Sequence, residues 1–179
     1  MKIATTIKLL GVASIGGYAL MRYFKRKPAK AFPVKGFDVE RLLGDWYHIA
    51  HTPAATGGGL EDVITDFSVG ANGDLIVTTL GIHPVTLRLQ QYEGVMRLRG
   101  SGTTGAFNIS YRYPLWKGFN IVAVDPCYHH LLAVGSSSGE AYVLSRYSTM
   151  PPQLLEQYRG IAHYIGVPSG ALRMVKQSL

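Results

Sequence analysis

The sequence predicts an all-β fold: an eight-stranded antiparallel up-and-down barrel, one C-terminal α-helix packed outside it, a short ninth strand, and an apolar helix at the N-terminus. Three observations carry this expectation. From residue 45 onward, short runs alternate apolar with polar side chains and are cut by Gly, Pro, Asn and Ser. The apolar period changes only once, from two to about 3.6, over residues 151–165. The breaks between runs are short, which suits strands that pair with their sequence neighbours and close on themselves. Eight such strands enclose a space that holds one small ligand or is filled by side chains.

The elements follow in order. Residues 45–51 form the first run, ended by Pro53 and the loop Thr56-Gly57-Gly58-Gly59. Residues 62–69 and 74–82 flank Asn72-Gly73, a strong hairpin turn. His83-Pro84 ends the third strand, and 85–99 reads as one long strand with a bend at Glu93-Gly94. After a Gly/Ser/Thr loop, 106–113 alternates Phe107, Ile109, Tyr111 and Tyr113 with Asn108, Ser110 and Arg112, and Pro114 stops it. Residues 118–124, 129–135 and 141–147 complete the eight. Over 151–165, Leu154, Leu155, Tyr158, Ile161, Ala162 and Ile165 share one helical face. Pro151-Pro152 suits a first helical turn, Thr149 or Met150 is the expected cap, and Gly166 ends the helix. Residues 172–177 read as the ninth strand.

The formal charge of +7 is not spread over the barrel. Seven of the 18 basic residues lie in residues 1–31, where there is no acid, and the rest of the chain carries 11 basic and 11 acidic residues. No basic stripe with interleaved aromatics marks the neutral part, so no nucleic-acid partner is expected. Two units follow: residues 1–31, a basic apolar signal or anchor segment with its linker, and residues 32–179, the barrel domain. Leu9 to Met21 is uncharged for 13 residues between Lys8 and Arg22. That is short for a spanning helix and near the length of a signal's apolar region. Gly11, Gly16, Gly17 and poor cleavage patterns favour an uncleaved export anchor, with the domain membrane-associated on the periplasmic side. A helix lying in the headgroup region and an organelle transit peptide fit the same composition. The excess of positive charge after the apolar run favours the cytoplasmic side instead.

Gly44-Asp45-Trp46-Tyr47 with Ile49-Ala50 resembles the first lipocalin motif, Gly-x-Trp. The stretch from Asn120 through Asp125-Pro126-Cys127-Tyr128 to Gly135 resembles the second, and Leu144-Ser145-Arg146 the third. With the helix that follows, the chain is most similar to the bacterial, apolipoprotein D-like lipocalins, over residues 37–177. One departure is plain. Many bacterial lipocalins are lipoproteins acylated on a cysteine just after the signal, and here the first and only cysteine is Cys127. That lipid anchor is ruled out, and the N-terminal segment is the expected replacement.

The resemblance implies that Trp46 plugs one end of the barrel and that Arg146 lies across its ring, a structural pair. If Arg146 points inward, Leu144 and Tyr142 do too, by strand parity. Phe67, Val77, Leu89, Ile109 and Tyr111 are the expected remaining walls of a ligand cavity, and His48, sharing parity with Trp46, is expected to face it. Trp116 is placed between strands, either at the mouth or exposed near membrane. The implied ligand is a lipid-like small molecule, such as a fatty acid or lysophospholipid, for transport, storage or membrane maintenance. Arg88, Arg97, Arg99 and Arg112 are available for its headgroup. Two other roles stay open: an interaction subunit of a membrane-associated assembly built on a lipocalin shell, and, less favoured, a lipid- or terpenoid-modifying enzyme.

Nothing nominates catalysis or a cofactor. There is no Gly-x-Ser-x-Gly elbow and no P-loop. On a regular strand His48 and His51 face opposite sides, and the adjacent His129 and His130 diverge, so no metal cluster is expected.

Overall fold

The computed structural model describes residues 31–100 and 102–178. The expected N-terminal anchor helix lies outside the described residues. Eight strands run in sequence order: β1 Gly44–His51, β2 Glu61–Val69, β3 Leu75–Ile82, β4 Leu89–Leu98, β5 Ala106–Arg112, β6 Leu115–Val124, β7 His130–Gly135 and β8 Ala141–Ser145. Each pairs antiparallel with the next, β8 returns to β1, and β1 pairs with β2, so the barrel is closed. Helix α1, Pro152–Tyr164, follows, and β9, Arg173–Met174, pairs with β1.

Strand parity sorts the apolar side chains into two cores. Inside the barrel lie Trp46, Phe67, Val77, Met96, Phe107, Ile109, Ile121, Leu131 and Leu144. Outside, Ile49, Ala50, Leu132, Val134 and Val143 pack against Leu155, Tyr158 and Ala162 of α1. The Tyr158 hydroxyl donates to the His130 carbonyl at 3.1 Å and ties the helix to the wall. Several boundaries differ from expectation. β4 begins at Leu89 rather than 85, because the Val85 and Thr86 N–H groups donate to His83 Nδ1 and the Leu87 N–H to the His83 carbonyl, folding the preceding segment into a turn. β6 begins at Leu115, so Trp116 is a strand residue rather than a linker, and its ring meets the Arg97 guanidinium at 5.1 Å. The helix N-cap is Pro151, with no side-chain cap, in place of Thr149 or Met150.

The larger surprise is in β1. Its register against β8 pairs His48 with Leu144, then Ala50 with Val143 and His51 with Tyr142. One extra residue sits in β1, a β-bulge that reverses parity beyond it. Ile49 and Ala50 both join the outer core, while His48 and His51 come together inside. The expectation that the two histidines face opposite sides fails for this reason.

Candidate functional site

The closed end is built as the motifs imply. The Trp46 indole N–H donates to the Leu42 carbonyl at 2.7 Å, and the Arg146 guanidinium lies 3.9 Å from the ring centroid. Arg146 also donates to the carbonyls of Asp45, Arg41 and Leu43, each at 2.8 Å, and to that of Leu42 at 3.3 Å. Gly44 makes this approach feasible, since a Cβ there would meet Arg146 Nη1 at 3.4 Å and its φ is +90°. Above the plug, Phe67, Val77, Ile109 and Leu144 line an apolar lower half, all at 2% exposure or less. These four expected wall residues point inward together.

The upper half is polar. His48 Nδ1 lies 3.1 Å from His51 Nδ1, and His48 Nε2 lies 2.8 Å from Thr65 Oγ1. Thr65 Oγ1 is 2.8 Å from Thr79 Oγ1, which continues the chain across β1, β2 and β3. Burial pushes the pKa of His48 well below 6.5, with the His51 ring adding to the shift, and burial lowers His51 to about 4. Both rings are therefore neutral at neutral pH. Tyr142 stacks edge-on against His48 at 5.9 Å, and Phe119 lies 5.7 Å from Tyr142. Burial raises the pKa of the Tyr142 phenol and, with hydrogen bonds to Thr56 and Thr79 opposing, that of Tyr111. Tyr111 is half-buried beside this band, as expected of a wall residue. Sequence reasoning missed Thr65, Thr79 and His51; only the bulge brings His51 in.

Leu89 is the wall residue that the structure moves. Gly94 and Met96 point inward on β4, so parity turns Leu89 outward, and it is 67% exposed. β5 pairs with β4 only over Val95–Leu98, which leaves the upper part of β4 without that neighbour.

The mouth is covered by residues 52–60. The Tyr142 hydroxyl accepts the Thr56 N–H at 2.9 Å, and Thr52 Oγ1 donates to the Gly139 carbonyl at 2.7 Å. Gly57, with φ +82°, sits so close that an added Cβ would lie 3.0 Å from Val63 and 3.4 Å from Thr79. Beside this cover, where β9 lies against β1, a cavity of about 240 Å³ is lined by His51, Gly59, Leu60, Glu61, Arg173 and Met174, among others. His51 thus connects a surface cavity to the interior band. At the closed end, the turn between β6 and β7 gathers ligand atoms of Asp125, Cys127 and His129 within 4.8 Å of one another. The expectation of no metal cluster weighed His129 only against His130 and did not consider Asp125 and Cys127 with it.

Residues 37–177 match the family model of the lipocalin-like domain. The chain belongs to the lipocalin family. The resemblance to bacterial lipocalins also holds over most of its length. This lipocalin is 32% identical over 144 residues to outer membrane lipoprotein Blc of Citrobacter freundii, across 80% of this chain and 81% of that one. It is 33% identical over 129 residues to the Blc protein of Escherichia coli K12, across 72% and 73% of the two chains. Insecticyanin from the tobacco hornworm Manduca sexta superposes on it with a TM-score of 0.67 at 12% identity, over 86% of this chain and 87% of that one. That likeness is one of fold.

Proposed function

We propose that this lipocalin takes a hydrophobic or amphipathic small molecule, of the fatty acid or lysophospholipid class, into its barrel. The observation that carries the reading is the division of the interior: an apolar lower half beneath a band of neutral polar groups, under a covering loop. An acyl chain suits Phe67, Val77, Ile109 and Leu144, and a headgroup suits the hydroxyls and imidazoles of Thr65, Thr79, Tyr111, Tyr142 and His48. Burying about ten methylenes at ~0.8 kcal/mol each gives about 8 kcal/mol, a micromolar constant before ordering costs. Entry requires residues 52–60 to move, because Thr56 and Gly57 lie over the mouth against Tyr142, Val63 and Thr79.

Binding is favoured over catalysis by the state of His48. Both ring nitrogens are engaged, by His51 and Thr65, so neither is free to accept a substrate proton. The mouth also supports a membrane source for the ligand. Val85, Leu87 and Leu89 at the β3–β4 end and Tyr113 and Leu115 at the β5–β6 end expose 67–83% of their surfaces. Membrane attachment through residues 1–31 belongs to the same reading, supported by their uncharged run and basic flanks, and the exported side by the likeness to outer membrane lipoproteins.

One observation favours a second reading, an interaction subunit that uses the barrel as a shell: Phe67, Val77, Ile109 and Leu144 expose 2% of their surfaces or less, so solvent does not reach the apolar lower half. Mass spectrometry of organic extract from the full chain, isolated without detergent, separates the two. A stoichiometric lipid, lost on Tyr142→Ala in a folded protein, supports the carrier. A folded protein that extracts empty and takes up no added lysophospholipid overturns it.

A further inference from the structure

We propose that the turn between β6 and β7 binds a divalent metal ion of the zinc type through the Asp125 carboxylate, the Cys127 thiolate and the His129 imidazole. The three residues lie at alternate positions, and their ligand atoms come within 4.8 Å of one another. Hydrogen bonds of the chain itself build the turn that gathers them. Asp125 donates its N–H to the His130 carbonyl at 3.1 Å, and the Tyr128 N–H donates to the Asp125 carbonyl at 2.9 Å. Tyr128 adopts φ +58°, an unusual state for a bulky residue. Its surroundings hold it there: its hydroxyl accepts the Asp38 N–H at 2.8 Å, and its ring lies 4.1 Å from the Arg41 guanidinium. Arg41 also donates to the Pro126 carbonyl at 3.0 Å.

The Asp125 carboxylate is oriented in the same way. Oδ2 accepts the Cys127 N–H at 3.1 Å and retains a lone pair for a metal, while Oδ1 accepts the His130 N–H and lies 3.6 Å from His130 Nδ1, which holds the carboxylate in place. Cys127 and His129 are exposed and can rotate. Zinc bonds of about 2.0–2.3 Å put tetrahedral ligand atoms roughly 3.5 Å apart, so closing the site takes side-chain torsion and no backbone movement. Sulfur, nitrogen and oxygen in one set suit a borderline ion rather than calcium or magnesium. Binding deprotonates the thiol and releases that proton to solvent. Thiolate and carboxylate together balance the ion's two charges. Three protein ligands leave a fourth position for water or for a donor from another molecule. The site sits at the closed end, away from the barrel mouth, and does not depend on the carrier reading.

The test is zinc titration calorimetry on the full chain, reduced and without an affinity tag, paired with cobalt substitution. Residues 1–31 contain no Cys or His and add no such ligand. The expected result is one zinc per chain and, with cobalt, a thiolate charge-transfer band in the near ultraviolet. Cys127→Ser should abolish the band, and Cys127→Ser and His129→Gln should each weaken zinc binding at least tenfold. Both positions are exposed, so an unchanged melting midpoint is expected for these variants. His51→Gln should leave zinc affinity and the cobalt band as they are. Absence of saturable binding overturns the proposal. So does zinc binding that survives both turn variants and is lost with His51→Gln, since that places the ion at the buried pair instead.

Discussion

Acidification should destabilise this lipocalin through the pair His48 and His51. In the folded chain burial holds His51 near pKa 4, and burial together with the His51 ring holds His48 well below 6.5. Unfolded, both titrate near 6.5. A depressed folded pKa means that the unfolded state binds more protons in the window from roughly pH 6.5 to 4. Stability is therefore full above about pH 7 and is lost as pH falls through that window. From pH 7 to pH 5 His51 contributes a loss of about 2 kcal/mol, and His48 adds to it in the same direction. That is a large part of the ~5–15 kcal/mol typical of a domain. Geometry adds a reason for the pair to resist charge: Nδ1 faces Nδ1 at 3.1 Å, so a second proton would set two N–H groups against each other.

The assay is guanidinium unfolding of the full chain at pH 7 and pH 5, read by circular dichroism, for wild type and His51→Gln. Glutamine keeps hydrogen-bonding groups but does not titrate, so the acid loss should shrink by about 2 kcal/mol. His130, also lowered chiefly by burial, is present in both proteins and cancels in the difference. An identical midpoint at the two pH values in wild type, or an equal acid loss in the variant, would refute the reasoning.

Four further outcomes are expected. Trp46→Ala should cost about 3–5 kcal/mol, and Arg146→Lys about 2 kcal/mol because a lysine cannot reach four carbonyls and cover the ring; denaturant midpoints check both. Tyr142→Phe removes the acceptor for the Thr56 N–H, so it should cost about 1 kcal/mol and speed uptake of a fluorescent fatty acid in stopped-flow mixing. Leu89→Asp should change the melting midpoint and lipid affinity little, within about 0.5 kcal/mol, since the side chain faces solvent.

The parts of the site legible in the sequence were those fixed by residue type and strand period together. Trp46 and Arg146 were legible as a plug through the resemblance of their motifs, and their chemistry suits it, one being large and apolar and the other carrying five donors. From Arg146, period two carries Leu144 and Tyr142 inward, and the structure agrees. Phe67, Val77 and Ile109 also lie inside, on strands whose alternation runs without interruption. Leu89 fails because the inward face of β4 is carried by Gly94 and Met96, which period two sets opposite to Leu89, and a glycine with one methionine leaves little mark on the apolar pattern. The Asp125, Cys127 and His129 cluster was hidden for a like reason. It depends on the positive φ of Tyr128, and tyrosine is a residue type that gives no warning of that conformation.

The bulge in β1 shows how much one residue can decide. His48-Ile49-Ala50-His51 offers no polar–apolar alternation that would mark the shift, because the two apolar residues sit together between the histidines. In the fold, both turn toward α1, which rewards the bulge by burying Ile49 and Ala50 to 4% and 0% exposure. The same shift parts β1 from β2 beyond Tyr47, where their direct pairing ends. The C-terminal segment fills that seam: the Val175 N–H donates to the Ile49 carbonyl at 3.0 Å, and the Asp62 N–H to the Lys176 carbonyl at 2.9 Å. Gln177 Nε2 bridges the carbonyls of His48 and Val63 at 2.9 and 3.2 Å. The ninth strand is thus a piece of wall required by the bulge rather than an appendage of the helix. It also borders the cavity onto which His51 faces. Deleting Ile49 would remove the extra residue and restore regular alternation, with Ala50 alone facing α1 between an inward His48 and an inward His51, so the polar band should survive while the outer core loses one buried side chain.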